Sequence, residues 1–287
     1  MKALALALFL AALYCCPAGA SSLPSCEKFW KNQKYEFDFR EPYGHFQERL
    51  RRSQCEKDWT VLVYMAADNN LFPYALWNLY EMEASFERPG IAGSTLKTDL
   101  VVQLDGPAPD DLRRLHIFSG PVRYEEKTKD DFLNASPDII KSPVVERIPE
   151  NARQSEQQRF ETFLAWAAKH YPARNFMVVV WGHGQGWKSF PVQDPAKSKL
   201  LDPRNLPRFP SPTSDESFGG IAFRQSGNSW LDIPSLNAAL GSFRKLLGRP
   251  IDVYASDACL MQMLEVGYEL GSNARFIVGS AQRSEEH

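Results

Sequence analysis

The sequence lacks an excess of charge of either sign: 33 basic and 35 acidic side chains leave a formal charge of −2 over 287 residues. So balanced a chain has no broad positive field for nucleic acid or an anionic membrane surface, and neither partner is indicated. Beyond the first twenty residues no apolar run is long enough for a membrane helix, so no membrane span is expected. Histidine is scarce, and His45, His116, His170 and His287 show no metal-ligand spacing with cysteines or carboxylates, which argues against a zinc site. No Gly-x-Ser-x-Gly elbow occurs, which disfavours a serine hydrolase. The cluster Gly182-His183-Gly184-Gln185-Gly186 is not a dinucleotide loop, because the third glycine of that fingerprint would fall on Trp187 and a loop follows instead of a helix. Internal repeats and low-complexity tracts are also missing.

What is present suits a globular protein: 44% of the residues are hydrophobic, and the length allows one large domain plus an extension. Lys2, an apolar run from Ala3 to Tyr14 and the small residues Ala18-Gly19-Ala20 have the layout of a secretory signal peptide over residues 1–20, cut after Ala20. A lipid-acceptor role for Cys15 or Cys16 fits less well, since bulky Tyr14 precedes them. The expected location is therefore secreted or periplasmic. Cys26, Cys55 and Cys259 remain after cleavage. An oxidising compartment favours a bridge, and Cys26 with Cys55 would close an aromatic-rich N-terminal extension, residues 21–58, stabilising it by roughly 3–4 kcal/mol. Cys259 is left over, as an inert core thiol, a link to another chain or a reactive group.

From Trp59 the texture changes. Thr60–Met65, Leu100–Leu104, Met177–Trp181, Ile251–Tyr254 and Phe276–Val278 are short and nearly continuously apolar, as parallel strands buried on both faces should be. Arg114–Phe118 reads as a lesser strand. Phe160, Phe163, Leu164 and Ala167 have helical spacing behind the capping-box pair Ser155 and Gln158. Tyr74–Phe86, Pro234–Leu247 and Met261–Leu270 are further helices, the last two stopped by Gly248 and Gly271. This alternation predicts an α/β domain over 59–287 with a mostly parallel sheet and helices on both faces. Lys188–Phe218, with six prolines and five basic residues and no period, predicts a long exposed loop.

Parallel sheets bind ligands beyond the carboxyl ends of their strands. The Met177–Trp181 strand runs into His183, and the Ile251–Tyr254 strand into Ser256-Asp257-Ala258-Cys259. A histidine and a cysteine can thus face one cleft, as cysteine acyl transfer requires. Gly184, without a Cβ, can bring its N–H close to a substrate carbonyl as an oxyanion donor. Cys259 stands just before a predicted helix, whose start favours a thiolate. Taken singly, each residue also has an ordinary reading, as a buried hydrophobe or a histidine satisfying backbone carbonyls. Asp257 likewise has two roles open. It either caps the following helix or attracts a cationic substrate side chain, where two charges about 4 Å apart gain on the order of 4 kcal/mol at an effective dielectric of 20.

Trp59–Asn70, Val180–Gly184, Gly219–Phe223 and Asp257–Met261 with Glu265 together resemble the clostripain family of cysteine peptidases, relatives of caspases, legumains and gingipains. The resemblance runs from about Trp59 to Ser280. It implies a caspase-like fold, a His183–Cys259 dyad, and cleavage of protein or peptide substrates after Arg or Lys. It also implies activation by internal cleavage, for which Lys197 and Lys199 are the candidate sites, and calcium as an accessory ion, the chemistry itself needing no cofactor. The oxyanion hole would combine the N–H groups of Gly184 and Cys259. In the family an acidic pair and a Gly-Trp-aromatic stretch follow the last strand, whereas here Ser280–His287 stands, so a C-terminal truncation is expected. The competing reading is a non-catalytic secreted binding module on the same scaffold.

Overall fold

The computed structural model describes residues 23–32, 52–83, 93–108, 112–118, 127–149, 154–187, 219–226 and 228–282. The expected signal peptide, the loop 188–218 and the last five residues lie outside them. Helix α1 (Cys26–Asn32) is joined to the start of the domain by a Cys26–Cys55 disulfide. Strand β1 (Lys57–Ala66) follows, then α2 (Phe72–Glu83), β2 (Thr98–Asp105), β3 (Arg113–His116), β4 (Val144–Arg147), α3 (Glu156–His170) and β5 (Ala173–Trp181). A hairpin of β6 (Gly220–Arg224) and β7 (Ser229–Asp232) leads into α4 (Ile233–Leu247), β8 (Ile251–Asp257), α5 (Leu264–Leu270) and β9 (Ala274–Gly279).

Seven strands form the main sheet in the order β4-β3-β2-β1-β5-β8-β9. β2, β1, β5, β8 and β9 run parallel, with β3 and β4 antiparallel at one edge. Strand periodicity divides the core in two. Leu62, Tyr64 and Ala66 of β1 pack with apolar residues of α3, α4 and α5, while Val63 and Met65 face Leu76 and Leu79 of α2. Helices therefore cover both faces of a mostly parallel sheet, the predicted fold class.

The helices form where their end signals stand. Ser155 accepts from the Gln158 N–H and Gln158 reciprocates at the start of α3. Asp232 caps α4 by accepting from Ser235, and Gly248 closes it at φ 68°, a left-handed conformation that glycine tolerates. β9 departs from the expectation of two buried faces: Phe276 and Val278 are 67% and 54% exposed. It is an edge strand among the described residues, paired only with β8.

The amino end of the sheet is held by a buried carboxylate. Asp99 of β2 accepts from Arg52 at 2.5 Å and from Lys57 at 2.8 Å, and lies 3.0 Å from His116 Nε2. Burial alone would raise its pKa, but Arg52 and Lys57 outweigh that and hold it well below the usual carboxylate range. Arg52 also donates to the Cys55 and Pro172 carbonyls, which fastens the disulfide-linked segment to the sheet.

Candidate active site

The two residues singled out by the strand-end argument are neighbours. β5 and β8 pair in parallel with Trp181 opposite Asp257, and the Gly182 N–H donates to the Asp257 carbonyl at 3.2 Å. His183 and Cys259 each follow two residues later, beyond the ends of these adjacent strands. Their closeness is measured at Gly184, where a Cβ would lie 2.4 Å from the Cys259 carbonyl oxygen and 3.0 Å from the Ala258 Cβ. Only glycine permits this approach. Gly182 sits at φ +148° with its Cα face against the Ala66 carbonyl, so the strand-to-loop transition also depends on a residue without a side chain. Cys259 is not part of the disulfide, and both it and His183 are half-buried.

The histidine loop is braced on its other side by the β6–β7 hairpin. Ala222 donates to the His183 carbonyl at 3.1 Å and Gln185 to the Gly220 carbonyl at 2.9 Å. Gly184 and Ile221 form the bridge between those two bonds, so Gly184 turns its own N–H away from β6. Gly219 donates to the Trp187 carbonyl at 2.8 Å, which brings together the two ends of segment 188–218. Lys197 and Lys199 lie in that segment, outside the described residues.

The hairpin is in turn tied to the turn after β1. The Asp68 carboxylate accepts from the Ser226 N–H and hydroxyl and lies 3.4 Å from Arg224, while its carbonyl accepts from Gln225 at 2.7 Å. Asn69 Nδ2 donates to the Ala66 and Phe223 carbonyls. Asn70, the third polar residue in a row, lies with its Oδ1 2.9 Å from His183 Nε2. Sequence reasoning gave Asn70 no role. The signal was available, since the strand-end rule applies to β1 as it does to β5 and β8.

Two expectations about the cysteine segment are corrected. The predicted helix from Met261 starts at Leu264, with Met263 in the N-cap position and a turn over residues 259–262, so Cys259 is not at a helix N-terminus. Leu260, next to the cysteine, has φ 61°, and its N–H donates to the Gln282 carbonyl. The tight turn with a left-handed residue replaces the first turn of helix. Asp257 consequently does not cap α5. It is the exposed last residue of β8, and the extended backbone ends there, so strand alternation alone does not carry it to the side of Cys259.

Beneath the site lies a second group of ionisable side chains. Asp105, at the carboxyl end of β2, contacts Arg224 Nε at 2.6 Å, yet burial pushes its pKa up to about 6. Glu156 of α3 accepts from the Tyr64 hydroxyl at 2.5 Å and is raised by burial to about 7. Tyr64 is itself pushed up by burial and by Glu156. Among the described residues no three His, Cys, Asp or Glu side chains converge as a metal site.

The clostripain family model matches residues 63–199 and 211–286, most of the chain. No curated protein matches. Among solved structures, a secreted cysteine protease from Bacteroides thetaiotaomicron bound to an irreversible peptide inhibitor is similar at 24% identity, over 77% of this chain and 48% of its own, with a TM-score of 0.49. An inactive protease zymogen from Parabacteroides distasonis is similar at 22% identity, over 80% of this chain and 50% of its own, with a TM-score of 0.48. The chain thus spans about half the length of these two proteins. With His183 and Cys259 on adjoining loops at the carboxyl ends of neighbouring parallel strands, and the family model covering both, the chain belongs to the clostripain family of cysteine peptidases.

Proposed function

We propose that this chain is the catalytic part of a secreted cysteine endopeptidase that cuts after Arg or Lys. The Cys259 thiolate attacks the scissile carbonyl carbon, and the N–H groups of Gly184 and Cys259 hold the oxyanion. The C–N bond breaks, His183 gives a proton to the departing amine, and a thioester remains. Water then gives a proton to His183 and attacks the thioester, releasing the carboxylic acid and restoring the Cys259 thiolate. The observation that carries this reading is the approach of Gly184 to the Cys259 carbonyl, which sets a histidine loop against a half-buried cysteine outside the disulfide. The Gly184 N–H, turned away from β6, suits an oxyanion donor.

Selectivity for basic side chains is assigned to Asp257, an exposed carboxylate two residues before the nucleophile. Activation by cleavage within 188–218, at Lys197 or Lys199, is favoured by the bond from Gly219 to Trp187: a cut between them leaves Trp187 and Gly219 still joined beside the histidine loop. Export fits the sequence of residues 1–20 and the Cys26–Cys55 disulfide. Incubating the full chain and its Cys259→Ala variant tests the processing step. Cleavage within 188–218 in the parent alone is expected, and equal persistence of both intact chains refutes it.

A further inference from the structure

The contact between Asn70 and His183 has a consequence for the protonation of the ring. An amide oxygen can only accept, so a bond from Asn70 Oδ1 at 2.9 Å requires His183 Nε2 to be the donor. A neutral imidazole carries one proton. Holding it on Nε2 leaves the lone pair on Nδ1, the nitrogen then able to take the thiol proton. The imidazolium formed by that transfer keeps the same bond, so one contact serves both states of the ring.

Both partners are firmly placed. Asn70 ends a turn in which Ala67 donates to the Asp105 carbonyl, Asn69 bonds to Ala66 and Phe223, and Leu71 donates to Asn69 Oδ1, just before α2 begins at Phe72. On the other side the His183 backbone is fixed by Ala222. The successive residues Asp68, Asn69 and Asn70 divide the work: the first two are nearly fully buried and brace the hairpin and the turn, while the exposed third reaches the ring.

We infer that Asn70 is a positioning residue for the reaction, selecting the His183 tautomer with its proton on Nε2 and fixing the ring's orientation for Cys259. This rests on the proposed His183–Cys259 chemistry. Because Asn70 is exposed, water competes for the ring, and the effect of its removal is set at about tenfold, the lower end for a residue that orients a functional histidine.

The test uses the full chain labelled with ¹⁵N-histidine, together with alkylation of Cys259 by iodoacetamide followed by mass spectrometry between pH 5 and 9. The wild-type ring is expected as the Nε2–H tautomer. Asn70→Ala should lose that preference and slow alkylation at neutral pH about tenfold, and Asn70→Asp should keep the tautomer and move the ring's titration to higher pH. A wild-type Nδ1–H tautomer, as a reversed Asn70 amide would select, overturns the inference, and that reading needs no variant. So does an Asn70→Ala protein whose tautomer and alkylation match wild type. His183→Ala separates the two levels: if it leaves Cys259 alkylation unchanged the dyad itself fails, whereas a slowed His183→Ala beside an unchanged Asn70→Ala removes only the role of Asn70.

Discussion

Replacing Gly184 by alanine probes the approach of the two loops directly. The added methyl would lie 2.4 Å from the Cys259 carbonyl oxygen and 3.1 Å from Met261 Cγ, where ordinary contact begins at 3.4 Å. The nearest atom is backbone on a turn that already holds Leu260 at φ 61°, so it cannot rotate aside as a side chain would. The two loops must separate by about 1 Å, and a misplacement of that size lowers a positioned reaction on the order of a hundredfold. Overpacking itself costs about 1–3 kcal/mol of stability. Gly241, inside α4, is the control, since a Cβ there meets only Asn273 Oδ1 at 3.6 Å. Gly241→Ala should gain roughly 0.5–1 kcal/mol from helix propensity and keep full activity. The assay pairs turnover of an Arg amide substrate with thermal unfolding of both variants. A folded Gly184→Ala protein with wild-type turnover would refute the claim that these loops form one site.

Three further outcomes follow from the same structure. Burial raises Glu156 from 4.5 to about 7 in the fold, so its contribution to stability is fully present below pH 4.5 and is lost as pH rises through 7, about 3 kcal/mol in all; Glu156→Gln should flatten that part of a chemical-denaturation profile, and an unchanged slope would contradict the shift. The Cys26–Cys55 bridge closes a separation of 29 residues, and a double serine variant should lose about 3–4 kcal/mol on the chain-entropy model, measured by the same denaturation. Asp257→Asn, which keeps size and hydrogen bonding but not charge, should reduce the preference for Arg and Lys over neutral residues about tenfold or more. If selectivity survives intact in kcat/KM comparisons, the basic preference arises elsewhere.

Much of this arrangement is legible in the sequence because its signals are local. The five apolar runs mark the parallel strands, and the Ser155–Gln158 box with its apolar stripe marks α3. His183 and Cys259 follow from one topological rule applied to two strand ends. The missing parts depend on long-range contacts or unusual backbone. Met261 and Leu264 have helical spacing, but residues 259–262 are spent on a turn whose Leu260 is left-handed, and no residue type announces that. β9 looks like a core strand from its composition, yet its position at the edge exposes Phe276. Asn70 is one of three polar residues in a row, and only the fold shows which of them reaches the histidine.

The central claim, that Cys259 is the nucleophile and His183 its partner, is tested most directly by covalent labelling of the full chain with an irreversible peptide probe bearing a C-terminal arginine, followed by mass mapping. The account predicts one adduct per chain, on Cys259, slowed severely in His183→Ala and absent in Cys259→Ala. An adduct on another residue, or labelling of Cys259 at the same rate in folded His183→Ala, would contradict it.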